Sequence, residues 1–570
     1  MLPEDTVFAL VVLPLLGAAI ALSSKAFFTG KRKRNLEYLG AFVGLVLPWV
    51  VMIQLLPLVL TGQAIEGIIG GWHESVGISF RFDGLAWLVN LLGFTIAGAA
   101  WLYSLGPGPH GPHFTAVFLI QTSALAATAM TADLFNLFVC LEVMGIASYI
   151  LIASSEKQGA FLASFSYLMV SATAMVFFLL GIYGIYRTTG ALTYTGIING
   201  LSGLPDHGGV VTYISLSLIV GAVAIRVAVM PLYGWLPDSH ALAPHAVSSV
   251  LSGVLIKTPL FALSRVLLLV PAGMYAGQLM GYAGAITALV AVIIALSQSD
   301  AKRLLAYHTV SQIGYVVAAW GAALYVGTHT LQGSILMAGA FLHALYHAMF
   351  KGLLFLSIGT TTDCASQRNV YQLRGAARLL KQAGERIPIT TITFVVGALA
   401  ISAIPPFNGF ASKTTLSYGL KDSWQYSMLY AAGIGTMASF IKLSRIYWSK
   451  PEQQNRFPVP VPNANKIAQT FLAILCLGTG IFAGPMYRFV VTLFAFGAPN
   501  GPAPVLYSTQ TLMNTLILIT GGTAVFLLAS TRIGHNILKI IRERPRDFQG
   551  LFVAFSLGVT GLSGWLLFWG

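Results

Sequence analysis

RVAVMPLYGWLPDSHALAPHAVSSVLSGVLIK, residues 226–257, is the stretch from which the rest of the chain is read. Arg226 lies in an apolar helical pattern running from about 214 to 228. Pro231 and Pro237 then break that helix, because proline lacks a backbone donor and clashes with the preceding turn. A polar turn with Asp238, His240, Pro244 and His245 follows. A second apolar helix starts near Ala246 and carries Lys257 about three turns in. A charge near the centre of a bilayer costs about 2.5–3.5 kcal/mol on insertion scales. A helix break at that depth is tolerated only where protein or water satisfies the freed backbone groups. Two such costs side by side point to an ion pathway rather than to packing.

Composition supports the membrane reading. The 570 residues are 56% hydrophobic and 9% charged, against about 25% charged in soluble domains. The fold class is therefore an all-α polytopic membrane protein. The net charge of +14 sits in short loops between apolar runs, which argues for a bilayer and against a nucleic-acid partner. Cys140, Cys364 and Cys476 are scattered and suggest neither a metal site nor a disulfide framework. With no phosphate-binding loop or dinucleotide fingerprint, we expect no cofactor, no metal and no catalytic residue. Glu4 and Asp5 precede the first apolar run, so that run reads as a span and not as a cleaved signal.

Runs long enough to span a membrane fall at 7–28, 38–60, 83–104, 114–131, 133–153, 162–186, 211–232, 246–271, 277–298, 304–326, 332–360, 389–418, 425–447, 466–495, 511–531 and 549–569. That predicts about sixteen helices. Lys31-Arg32-Lys33-Arg34, Lys302-Arg303, the 368–386 loop (Arg368, Arg374, Arg378, Lys381, Arg386) and 532–546 then share one side, the cytoplasmic one by the positive-inside rule. Both termini face outward. We divide the chain into 1–110, 111–272, 273–450 and 451–570. Segments 60–80 and 105–113 read as plain connectors. The basic segment 532–546 reads as a cytoplasmic interface helix on anionic lipid, with a docking site as the alternative.

Further charges lie inside apolar runs. Glu142 is central in DLFNLFVCLEVMGIASYIL, nine residues after Asp133. In FLHALYHAMFKGLLF, His343, His347 and Lys351 recur every four residues and share one helix face. Histidine titrates near neutrality, so this stripe suggests a proton relay; neither a carboxylate nor a cysteine stands nearby to make it a metal site. In AISAIPPFNGFASK, Pro405, Pro406 and Gly409 break another helix, and Lys413 follows. Two interrupted spans in corresponding positions predict inverted repeats, which we assign to spans 4–8 and 9–13 with breaks in spans 7 and 12. His308 extends the line as a further candidate, with Asp133, Asp238 and His240. Lys442 and Arg445, near the inner end of span 13, are expected to snorkel.

DLFNLFVCLE, PLYGWLPDSHALAPHAVSSVLSGVLIK, DAKRLLAYHTVSQIGY, HALYHAMFK and IPPFNGFASK resemble the proton-conducting antiporter-like subunits. These include the pumping subunits of respiratory complex I, the large subunits of Mrp-type cation/proton antiporters and membrane subunits of energy-converting hydrogenases. The resemblance covers about 80–450. It implies a fourteen-helix core of two inverted five-helix repeats, so the last two helices exceed it. It also implies that Glu142 is the helix-5 carboxylate, Arg226 occupies the helix-7 lysine position and Lys257 is the helix-8 lysine. His343, His347 and Lys351 would form the central relay, with Lys413 as the exit residue. This chain departs from the pattern at Arg226 (usually Lys), at Tyr233 (often His) and at Ser166 (often Lys before the tyrosine).

The expected function is proton translocation by one subunit of a multisubunit complex in the cell (inner or plasma) membrane. Its partners would be other membrane subunits, homologous antiporter-like ones included, and a peripheral redox arm. Glu142 would pair with Arg226 in one state and part from it in another, changing the field at Lys257. Unit charges about 5 Å apart at an effective dielectric of about 20 interact by roughly 3 kcal/mol. Protons would then pass along His343, His347 and Lys351 to Lys413. Exchange against sodium in an Mrp-type antiporter is one alternative, and proton flow driving a CO2/bicarbonate uptake complex another. A quinone-binding redox subunit lacks redox ligands, and a scaffold would not need these buried ionisable groups.

Overall fold

The computed structural model describes residues 3–72, 77–448, 459–494, 504–543 and 548–569, and the structural statements below concern these. The chain opens with α1 (Pro3–Phe27), α2 (Gly30–Leu45) and α3 (Leu47–Leu60), followed by the strands β1 (Ile65–Ile68) and β2 (Ser79–Phe82). Next come α4 (Gly84–Ser104), α5 (Pro112–Met130), α6 (Leu134–Ala153), α7 (Ala160–Thr189) and the short α8 (Tyr194–Ser202). One interrupted span consists of α9 (Gly209–Val227) and α10 (Trp235–Leu242); another has α11 (His245–Val250) and α12 (Thr258–Leu267) flanking a π-helical turn at Leu251–Leu255. The second half holds α13 (Gly273–Ser297), α14 (Ala301–Val326), α15 (Leu331–Ala365), the surface α16 (Ala376–Gln382), the interrupted pair α17 (Ile389–Ile401) and α18 (Asn408–Leu420), and α19 (Trp424–Trp448). Beyond it lie α20 (Asn463–Ile481), α21 (Ala483–Leu493), α22 (Thr509–Ser530), α23 (Arg532–Glu543) and α24 (Phe548–Trp569).

Among the described residues, fourteen helical stretches are long and apolar enough to cross a membrane. The two other runs of the expected sixteen fall on the pair α17–α18 and on the 25-residue α19, which are not among these fourteen. Helices are what an apolar environment demands, since every backbone donor then finds its acceptor within the segment. Where the helices meet water, Asp83, Asp133, Thr193, Asp300, Thr330 and Ser508 cap them with side-chain oxygens, the residue types that best satisfy a free first-turn amide. At the centre stands α15, buried over its apolar length, with α11, α14, α17, α18 and α20 packed around it. Small residues set the closest approaches. A Cβ on Gly284 of α13 would stand 2.6 Å from the Ala318 amide of α14, as expected where helices associate through backbone proximity in lipid.

The two proline-marked breaks share one geometry. In the first, Ala228 adopts φ 58° and Val229 N–H reaches back to the Ala224 carbonyl. In the second, Ala403 adopts φ 57° and Ile404 N–H reaches back to the Leu399 carbonyl. Both are helix C-terminal turns with a left-handed residue, and in both a proline, Pro231 or Pro406, stands three residues after the alanine. A carbonyl near each break accepts from a side chain: Ile225, which also accepts from the Ala228 amide, from the Trp235 indole at 2.8 Å, and Ile401 from the Lys413 ammonium at 2.8 Å.

Three expectations need correction. Segment 60–80 is more than a connector: β1 and β2 pair antiparallel, with Phe80 and Phe82 buried and Arg81 outward, the alternation a half-buried hairpin requires. The run 246–271 is not one continuous helix, because Pro259 can neither donate to residue 255 nor fit against its carbonyl. The run 466–495 divides at Phe482 into α20 and α21. The basic segment 532–546 forms α23 as far as Glu543, and its last residues lie outside the described ones.

Candidate functional site

The Arg226 guanidinium, 2% exposed in the last turn of α9, donates to two acceptors on α6: the Glu142 carboxylate at 3.0 Å and the Leu141 carbonyl at 2.9 Å. Glu142 is about a quarter exposed, on the outer surface of the bundle. Of the departures noted in the sequence, Ser166 points outward from α7, while its neighbour Tyr167 is buried and stacked on Trp235 at 4.0 Å. Tyr233 sits edge-on to Tyr307.

Lys257 lies at the discontinuity between the π turn and α12 and is fully buried. Its ammonium donates to the carbonyls of Ser252 and Gly253 at 2.7 and 2.6 Å, acceptors within the segment that Pro259 disrupts. The Ser252 hydroxyl meets the Thr309 hydroxyl at 2.7 Å, Thr309 donates to the Leu305 carbonyl at 3.3 Å, and the Lys351 ammonium donates to that same carbonyl. Lys257 and Lys351 thus flank the Ser252–Thr309 hydroxyl pair, between the π turn and α15.

The α15 stripe continues from Lys351. The rings of His347 and His343 lie nearly parallel, 6.3 Å apart, and His343 Nδ1 is 3.0 Å from the Ser412 hydroxyl beside Lys413. The stripe therefore reaches Lys413 through His343, the reverse of the order expected from sequence. Lys413 sits 4.7 Å over the Tyr315 ring and borders a cavity of about 420 Å³. Polar residues Ser508, Thr511, Asn514 and Thr515 at the N-terminal end of α22 line that cavity. His308 is fully buried, within electrostatic reach of Lys351 and Lys413. The ring nitrogens of His308, His347 and His240 have no hydrogen-bond partner among the described residues.

On the side of the basic loops, a cavity of about 790 Å³ is lined by Lys157, His245 and Asp363 among others, with His245 Nε2 3.0 Å from the Asp363 carboxylate. Lys157, in the loop after α6, is held below the usual lysine range by burial and by the charge of Arg368. About two turns of α15 deeper, the His240 ring stacks on Phe355 at 5.0 Å, and Lys351 lies over that same phenylalanine at 4.7 Å. Lys302 belongs here too: it is fully buried and donates to the Ala243 carbonyl at 2.6 Å. The sequence pattern places it among the loop charges. Lys442 does not snorkel; it is 7% exposed, with its ammonium on the Leu296 and Gln298 carbonyls at 2.7 and 2.6 Å.

Two candidates lie off the line. Asp133 caps α6 through the Asn136 amide at 2.7 Å, where burial raises its carboxyl while the Asn136 and Phe135 amides oppose that rise. Asp238 is half exposed and paired with Arg303 at 2.9 Å.

These features define a polytopic membrane protein with a buried line of basic side chains through its middle. The family model described as NADH:quinone oxidoreductase/Mrp antiporter, transmembrane, matches residues 131–442, and the chain belongs to that family. It is 32% identical over 442 residues to the NADH-quinone oxidoreductase subunit N of Desulforudis audaxviator, covering 74% of this chain and 84% of that one. It is 26% identical to a Staphylococcus aureus protein described as an antiporter subunit, mnhD2, covering 83% of this chain and 92% of that one. In fold it resembles a chain of the Mrp complex from Dietzia sp. (TM-score 0.76, 22% identity, 91% and 100% of the two chains). It also resembles a chain of an archaeal membrane-bound sulfane sulfur reductase (TM-score 0.75, 24% identity, 89% and 99%).

Proposed function

We propose that this chain is a proton-translocating, antiporter-like subunit of a multisubunit complex in the cell membrane, driven by a redox partner module. The chain itself carries the proton, and the bond chemistry belongs to its partners. The observation that carries this reading is that Lys257 and Lys351, both fully buried, lie on either side of the Ser252–Thr309 hydroxyl pair. Buried ammonium groups without a paired carboxylate are costly, and a scaffold has no use for them.

In this reading protons enter beside His245 and Asp363, reach Lys351 and Lys257, pass His347 and His343, and leave from Lys413 into the cavity lined by α22. Arg226 and Glu142 form the switch. The matched breaks at Ala228 and Ala403 support treating 111–272 and 273–450 as two repeated halves, with 1–110 and 451–570 as flanking units. The test is proton flux in proteoliposomes carrying the purified complex. Lys351→Ala should reduce flux about a hundredfold, the scale of losing one proton-transfer group, with all subunits retained. Unchanged flux contradicts the proposal.

Similarity over 92% of the length of the Staphylococcus aureus antiporter subunit favours a second reading, proton exchange against sodium. Flux that rises with a sodium gradient and needs no electron donor would select it.

A further inference from the structure

We propose that the cytoplasmic ends of α13, α19 and α22, roofed by α23, bind the phosphate headgroup of one anionic phospholipid. A cavity of about 290 Å³ opens there, and Arg374, Lys442, Arg445 and His535 line it from three separate segments of the chain. None of its described lining residues is acidic. Lys442 forms its inner wall, with only carbonyl oxygens and the face of the Tyr371 ring, 4.7 Å away, against its charge. Carbonyl dipoles and a ring face orient the Lys442 ammonium but leave its net charge uncompensated, so an anion complements it. Arginines at its rim suit a phosphate in particular, because the planar guanidinium matches two phosphate oxygens at once.

The surroundings select a lipid over a free ion. Leu296, Phe526, Ala529 and Leu538 share the cavity with the basic groups, which gives an acyl chain an apolar wall beside its headgroup. On α23, Ile533, Ile537 and Ile540 are all more than half exposed, while Arg532, Lys539 and Arg542 supply its positive charge. A helix of that pattern lies in the membrane interface. It is fixed over the cavity by contact between the His535 and Tyr371 rings, 5.5 Å apart, and by Arg542 against the Ser297 carbonyl at 3.5 Å. Basic pockets between spanning helices on the cytoplasmic side are where anionic headgroups settle.

Native mass spectrometry of the purified complex tests this. The wild type should retain an anionic phospholipid that the double variant Arg374→Gln/Arg445→Gln loses about tenfold. The variant Lys381→Gln/Arg386→Gln, which changes basic residues away from the cavity, should keep it. Equal retention in both variants, or equal loss, overturns the proposal. A second measurement needs no variant. Lipid-stripped wild type should gain several degrees in Tm on transfer to phosphatidylglycerol nanodiscs and none in phosphatidylcholine. No gain with phosphatidylglycerol, or the same gain from inorganic phosphate alone, overturns the lipid assignment.

Discussion

Arg226 holds Glu142 with one guanidinium nitrogen, at 3.0 Å, and the Leu141 carbonyl with the other, at 2.9 Å. The residue that forms the pair is thus anchored to the backbone of the helix carrying its partner. An arginine cannot release its proton near neutral pH, so this position supplies a fixed charge. Arg226→Lys should retain most of the proton flux, because a lysine keeps the charge and one of the two contacts. Arg226→Gln and Glu142→Gln should each lose about tenfold, or roughly 1.4 kcal/mol. The double variant should be little worse than either single, since residues in contact are non-additive. Additive losses in the flux assay would separate the two groups.

The link between Lys257 and Lys351 depends on one hydroxyl pair, Ser252 and Thr309. Thr309→Val keeps the shape and removes the hydroxyl. It should slow flux roughly fivefold, the equivalent of one hydrogen bond of about 1 kcal/mol, and Thr309→Ser should restore it. Equal flux in all three proteins would mean the pair only packs.

His347 stands between Lys351 and His343, while His343 has Ser412 as a direct partner. His347→Ala should therefore slow proton flux more than His343→Ala. Stopped-flow recording of a pH dye in vesicles compares them directly, and identical traces for both variants and the wild type would remove the stripe from the path.

Much of this was legible along the chain, for a physical reason. Spans, breaks and buried charges are local signals: a proline or an ammonium in an apolar run stands out within a few residues. Arg226, Lys257, the α15 stripe and Lys413 were all visible that way. Partners were not. Ser252 and Thr309 are 57 residues apart, and His245 and Asp363 are 118 apart, so neither pair leaves a pattern in sequence. Lys302 and Lys442 misled because a lysine near a span end normally reaches water, whereas here carbonyls of neighbouring segments hold each one inside. Pro259 was the overlooked signal. It stands two residues after Lys257 and marks the discontinuity that presents carbonyls to that ammonium.

The helix α22 lies beyond the part of the chain that the family model matches, yet its Asn514 and Thr511 line the cavity at Lys413. Asn514→Cys should react with a membrane-impermeant thiol reagent added from the outward face, and the reaction should slow flux. The native cysteines Cys140, Cys364 and Cys476 are all buried, which keeps the background low. A cysteine at 514 that reacts only from the cytoplasmic face would place the exit elsewhere.

The central claim is that Lys257 gives up and regains a proton in each cycle, and Lys257→Arg tests it most directly. The substitution keeps the charge and donors for the Ser252 and Gly253 carbonyls, adds bulk at a fully buried site, and removes the ability to deprotonate. Measured as proton flux through the reconstituted, fully assembled complex, Lys257→Arg should be as inactive as Lys257→Ala. Flux in Lys257→Arg at the wild-type rate would contradict the account.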